Sequence, residues 1–521
     1  MITLSNRKTY LLGIAFLALP LLIWCFGWLS LPCAIITAIA LVVGVFLIWK
    51  KMDQQAFCSG DVVVSIPLVV AIAIALLLWC VLGGQGGFLY QSSDWNARNA
   101  VFRDLISYDW PVVYENGNAL CYYFGFWLVP ALVGKLFLAF GFGVDAVWAG
   151  ANIALLVWSA CGVFLAIVLL LQCVKKSSPK IVVGVVALFI FFSGMDIVGL
   201  LLTGDVSAIE TRLTQKIHIE WWAEVYQLSS FTTQLFWVFN QAIPAWIATL
   251  LILSTTRLGN DIFIGVLSAF LCPLPTMGLL FIGFAKLVGR AKARGVLFSL
   301  RELASLQTLI ALIPLISIGM FLTLSQRATL TSATFGGSQI LFHAYIGGVT
   351  LPHILRLGLF FLLEYGLLLL LLLPTERKNP YWYGALVLLM VANITRLGPS
   401  SDFAMRASIP GLMVLLVMVA KHLSEKDFRS YYQWLREMKG KPVDSMVAQM
   451  HGKIVRVILV ICLTIGVVTP VVEMVRGPVK MIEAQQIPMP CDEVKTLSEG
   501  LDANFVTPDY EATAFARMIG R

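Results

Sequence analysis

Carboxylates, arginines and tryptophans recur together in the polar stretches of this chain. Asp94, Arg98 and Asp104 share one stretch, residues 84–120, between two apolar segments. Asp196 follows a half-length apolar run, and His218, Glu220, Trp221 and Trp222 fall in a second polar stretch, 203–230. Arg396, Asp402 and Arg406 share a third, 396–406. A carboxylate in a partly dry cavity has a raised pKa and serves as a general base. Arginine forks match phosphate oxygens in paired contacts. Two carboxylates beside a phosphate would also hold a divalent cation. These residue types fit transfer of a group from a phosphate-bearing donor.

Each residue also has a plainer reading, and both stay open at this point. Asp94 suits the start of a helix near Trp95, where an acidic cap is favoured. Asp104 beside Arg103 suits a solvated helix face, and Asp402 with Arg406 suits an i, i+4 ion pair of a few tenths of a kcal/mol. Trp221 and Trp222 suit an interfacial aromatic belt. Gln241 ends an amide-rich run beginning at Thr232, which suits hydrogen bonds between membrane helices.

The elements that must position these residues are apolar. The chain has 521 residues, 59% hydrophobic and 13% charged, with mean hydropathy +0.86. Soluble domains are nearer a quarter charged. Many windows reach the ~20 apolar residues that span a bilayer, and continuous runs without alternation select helices over a barrel. The expected fold is an all-α polytopic membrane protein. The net charge of +8 needs no nucleic-acid partner, because Lys and Arg gather between apolar segments, as they do in cytoplasmic loops. The ten cysteines contain no CxxC pair, so neither a zinc site nor a disulfide framework is indicated. Arg7 and Lys8 before the first apolar run read as an uncleaved anchor.

In chain order, residues 10–49 read as a helical hairpin leading to Lys50 and Lys51, and 62–83 carries the chain to the outer side. Residues 121–140 and 144–172 follow, then Lys175, Lys176 and Lys180. Counting both as full spans puts these lysines outside, against the positive-inside bias. Pro130, Gly134 and Lys135 favour a segment 121–140 that does not cross fully. Residues 261–288 carry Pro273 and Pro275 mid-run with basic residues at both ends, which reads as two short half-helices. Broken helices survive in a bilayer only where protein or water covers the freed backbone. Further spans at 306–324, 354–373, 381–395, 407–420 and 457–475 give roughly 11–13 crossings at bilayer length. Residues 1–475 then form a transmembrane domain with outer loops 84–120, 203–230, 325–352 and 396–406, and 476–521 form a short outer tail.

This layout resembles the GT-C superfamily of membrane glycosyltransferases, which use polyprenyl-phosphate-linked sugars. The likeness rests on an early span followed by an outer loop with an acidic residue, Ser-Ser-Asp94-Trp95-Asn96-Ala97-Arg98. An aromatic, proline-bearing segment Tyr122–Pro130 and a small-residue-rich span, 146–172, come next. It is also similar to a group of bacterial envelope membrane proteins through Ile219–Ala223, Ser230–Pro244 and Ser401–Pro410. The resemblance implies a GT-C-like bundle and a polyprenyl-phosphate sugar donor, with transfer on the outer face of a bacterial cytoplasmic membrane. It puts Asp94 at the catalytic centre, where it would accept the acceptor hydroxyl proton, with Asp104 or Asp196 supporting it or orienting the acceptor. Arg98, His218, Glu220, Trp221, Trp222, Gln241, Arg396, Asp402 and Arg406 would then bind substrate. Asp94 is followed by Trp95 where protein O-mannosyltransferases carry a second acid, which leaves a metal unassigned. The alternative is a transporter or flippase of a lipid-linked sugar or anionic lipid.

Overall fold

The computed structural model describes the chain except residues 52–56, 205–217, 225, 332–339, 343–350, 398–401, 426–430, 441, 485–493 and 500–504. The fold is all-α. Among the described residues nine helices are long and apolar enough to cross a membrane, and five shorter apolar helices pack with them. This is a multi-pass membrane protein. In hydrocarbon each backbone group must be paired within its own segment, so the apolar runs become helices.

The axis of the bundle is the helix Phe231–Ser254, whose most apolar window is 94% buried, against 39% for Leu31–Lys50. Around it pack α1 (Asn6–Trp28), α6 (Val144–Val174), and the helices Leu258–Leu271 and Ile409–Ser424. The Trp79 indole reaches Thr232 Oγ1 at 3.2 Å, and the Trp246 indole reaches Gln234 Oε1 at 2.9 Å. The first bond joins two helices, as the composition of the run suits, while the second ties the axial helix to itself across its own turns.

Sidedness follows from contacts at the helix ends. At one end of the bundle, strand Ile2–Leu4 pairs with Val62–Val64, Gln172 Nε2 donates to Leu4 O and Thr9 Oγ1, and Cys58 N donates to Ser254 O. This gathers Lys50, Lys51 and the Lys175 end of α6 on one basic face. At the other end, Ser30 N donates to Ile519 O and Arg521 N to Trp28 O. The first long polar loop, residues 84–120 (the opening loop), lies there with the C-terminal residues.

The lysine conflict resolves through α5 (Leu128–Ala139). Its 12 residues span about 18 Å, short of the ~30 Å hydrocarbon core. Lys135 Nζ donates to Tyr108 O at 2.5 Å, and a Cβ on Gly134 would lie 3.0 Å from Ile106. The helix therefore stays on the loop face. The crossing is made by the 31-residue α6.

The segment at Pro273 differs from two short half-helices. Leu258–Leu271 and Pro273–Arg294 break at Cys272 (φ −145°, ψ 72°). The second arm has 22 residues, about 33 Å, enough to cross. The arms fold back on each other: Lys286 Nζ meets Asp261 Oδ1 at 2.7 Å and also bonds Ile252 O and Arg257 O. Both basic ends thus share one face, as the charges require, in a hairpin of one short arm, 14 residues, and one arm long enough to cross.

The boundary at 475/476 falls within one helix, Val468–Ala484. Beyond it the chain returns to the opening loop. Val506–Thr507 pairs with Ala119–Leu120, Tyr510 N donates to Gly117 O, and Phe515 packs near Trp24 and Phe321.

Candidate functional site

Asp94 is the first residue of α4 (Asp94–Ser107), where a carboxylate suits the positive end of the helix. Its side chain is 49% exposed and bonds Arg98 Nη2 at 3.0 Å. Arg98 is buried. Its guanidinium lies over the rings of Trp95 and Phe239, at 5.5 and 5.7 Å, and donates to the carbonyls of Phe236, at 3.4 Å, and Trp237. These carbonyls stand just before Val238 (φ −145°, ψ 35°), where the axial helix departs from helical geometry. Gln85 Nε2 takes the preceding carbonyl, Leu235 O, at 3.1 Å. Three successive carbonyls beside a helix break are thus met by side chains of the opening loop, which is the cover a broken membrane helix needs. Burial lowers the Arg98 pKa, while Asp94, Tyr122 and Tyr123 act in the opposite sense.

Arg406 approaches from the helix Asp402–Ala407 and bonds Asp402 Oδ2 at 3.1 Å. Tyr123, Asp402, Tyr122 and Asp94 all act electrostatically on it, and Arg98 and Arg406 feel each other. The hairpin positions this arginine. A Cβ on Gly278 would come 2.1 Å from Ala407 O, so only glycine allows that approach. Tyr122 is sandwiched between Tyr123 and Phe505, with ring centres 3.8 Å from each. Asp94, Arg98, Asp402 and Arg406, drawn from two distant stretches, therefore gather with two tyrosines. This group has a half-exposed carboxylate beside two largely buried guanidiniums. Such a site can bind an anion and accept a proton next to it.

A second group forms elsewhere. Asp196 starts α8 (Asp196–Thr203) and accepts from Ser193 Oγ at 3.1 Å and Thr469 Oγ1 at 2.8 Å. The Trp222 indole donates to Glu364 Oε1 at 2.9 Å. Glu220 Oε1 accepts from Ser230 N and Thr233 Oγ1, at 2.9 and 2.6 Å, at the start of the axial helix. Burial, then Asp196 and Glu473, push the Glu220 carboxyl up to about 8. His218 Nδ1 and Arg476 Nη2 each lie 2.9 Å from Glu473 Oε1. Trp237 links the groups: its carbonyl holds Arg98, and its indole donates to Glu473 Oε2 at 3.1 Å. Asp196 belongs to this second group and has no bond to Asp94.

The remaining expected site residues are dispersed. Asp104 Oδ2 accepts from Tyr114 Oη, Thr496 Oγ1 and Leu497 N at 2.8–3.1 Å, so it fastens α4 to the C-terminal segment. Burial raises its pKa, against these bonds. Trp221 is 43% exposed while Trp222 is buried. Gln241 is fully buried in the axial helix, with neither amide atom hydrogen-bonded. Arg396 lies in the short strand Thr395–Leu397, paired with Ile340–Phe342. Most of the outer loop 325–352, including His343, lies outside the described residues.

The residues that sequence reasoning passed over are Glu364, Glu473 and Arg476. Their signal was present: a lone acid inside an apolar span is expensive and functional by default. Among the described residues no three His, Cys, Asp or Glu side chains are placed to hold a metal ion. No family model, curated protein or solved structure matches the chain.

Proposed function

We propose that this protein is a membrane glycosyltransferase that moves a sugar from a polyprenyl-phosphate donor to an envelope acceptor. The reaction would take place on the outer face of a bacterial inner membrane. The observation that supports this is the half-exposed Asp94 carboxylate beside Arg98 and Arg406 on the face opposite the lysines. In this reading Asp94 takes the proton of the acceptor hydroxyl. The hydroxyl oxygen attacks the anomeric carbon while the bond to the phosphate oxygen breaks. Arg406 meets the charge that develops on the leaving phosphate, the type of electrostatic term that often dominates catalysis. Arg98, committed to the helix carbonyls, holds Asp94 in place. Asp94→Asn tests the assignment: loss of the general base lowers transfer by about 10²–10⁴-fold while the protein inserts and melts as before. Unchanged transfer in that variant refutes it.

A lipid transporter is the second reading. The interrupted axial helix and the carboxyls within the bundle favour it, since discontinuous membrane helices often line ion and anion sites. Movement of a fluorescent polyprenyl phosphate across vesicles by Asp94→Asn at the native rate would select it.

A further inference from the structure

We propose that Asp196 and Glu364 form a proton-binding site inside the bundle, one proton shared between two carboxyls where three helical segments meet. The inference does not depend on the transfer reaction.

Two irregular turns and one continuous helix, from separate parts of the chain, meet here. The first is the gap between α7 (Pro179–Phe191) and α8, which ends at Asp196. The second is the π-helical turn Leu362–Gly366, which carries Glu364. Against them packs the long helix Ser445–Ile482, which brings Gly466 and Thr469 to the pair. Two glycines bring them into contact. A Cβ on Gly194 would fall 1.9 Å from Glu364 Oε2, and one on Gly466 would fall 2.8 Å from Ser193 O. Single π-turns inside helices recur at functional sites.

Asp196 and Glu364 are 1% and 2% exposed. Their segments are bonded directly, Met195 N donating to Leu363 O at 3.2 Å, which brings the two carboxyls into hydrogen-bond range of each other. An ionised carboxylate only accepts, so such a bond requires a proton on one partner. The charges around the pair do not remove that need. Glu220 and Glu473 add two more carboxyls from other elements. Among the described residues, Arg476 and His218 stand against four acids, and both bond Glu473. An independent sign comes from Glu220. Its side chain is 1% exposed, its Oε2 has no hydrogen-bond partner, and Asp196 is the strongest charge acting on it. Asp196 Oδ1 and Glu364 Oε2 likewise accept no donor from the other described residues. Among the described residues the group is short of positive charge and has acceptor oxygens to spare. A proton supplies both needs with no more room than the pair already has. When it leaves, two carboxylates face each other in a dry site and the three segments lose their common contact. Occupancy of this site therefore sets how tightly they pack.

Infrared spectra of the full-length protein in lipid nanodiscs test this. A Glu220→Gln background removes that residue's own carboxylic signal. At neutral pH the background retains a protonated, hydrogen-bonded carboxylic C=O band that shifts in heavy water, and adding Glu364→Gln or Asp196→Asn removes most of it. A band absent from the background, or unaltered by both substitutions, overturns the proposal. Melting temperature gives a second measure. Glu364→Gln donates an N–H where the proton stood and keeps the native value, whereas Glu364→Ala lowers it. Equal losses in the two variants overturn the shared proton.

Discussion

Arg98 and Arg406 each pair with a half-exposed carboxylate four residues away, Asp94 and Asp402, and are held differently. Arg98 donates to two helix carbonyls and to Asp94, and lies against two aromatic rings. Removing it strands buried acceptors, so Arg98→Ala destabilises by about 3 kcal/mol, the scale of breaking a buried charge contact. Arg98→Lys recovers only part of this, because an ammonium lacks the planar fork that reaches two carbonyls and a carboxylate. Thermal melts in detergent measure both. Asp94 is half-exposed and its pair with Arg98 is of the i, i+4 kind. Asp94→Asn therefore shifts stability by less than about 1 kcal/mol, which separates its role in transfer from a role in folding. Arg406→Ala weakens donor binding more than folding, read as a rise in KM for the lipid donor.

At the scale of elements, the site depends on places where helices stop being regular. The break at Val238 creates the carbonyls that anchor Arg98, and the Pro273 hairpin sets the height of Arg406. Substituting Gly278→Ala pushes a Cβ toward Ala407 O. It is expected to cost transfer activity while the bundle stays folded, because the displaced backbone carries Arg406 with it. A circular-dichroism spectrum unchanged beside reduced transfer is the predicted pair of results. The helices themselves were legible in the sequence, since each is a continuous apolar run. So was the grouping of Asp94 with Arg406, argued from loops on one face. The short α5 was foreseen from Pro130, Gly134 and Lys135 together with the lysine count. Two features were not legible. The Val238 break carries no proline or glycine at the break itself. The attachment of Asp104 to residues 496–497 joins positions far apart in the chain, which no local pattern encodes.

The whole molecule is a sided bundle with a basic face and a face bearing the opening loop. With Cys58 and Cys491 replaced by serine, Glu115→Cys reacts with a membrane-impermeant maleimide from one side of the membrane and Lys292→Cys only from the other. Both reacting from one side would break the sidedness. The interior also predicts a pH dependence. Burial and the neighbouring acids raise the Glu220 pKa from the ordinary 4.5 to about 8. The native state then holds a proton that the unfolded chain releases, so stability present at low pH falls as pH rises from about 4.5 to 8. Glu220→Gln removes the charge and flattens this slope in melts across that range.

Transfer itself is the most direct measurement of the central claim. Native protein and Asp94→Asn, reconstituted in proteoliposomes with a polyprenyl-phosphate sugar and a crude envelope acceptor fraction, are assayed for release of free polyprenyl phosphate. Release by the native protein and its loss in Asp94→Asn, at equal insertion and melting temperature, is the predicted result. Equal release by both would contradict the assignment of the opening-loop carboxylate as the base.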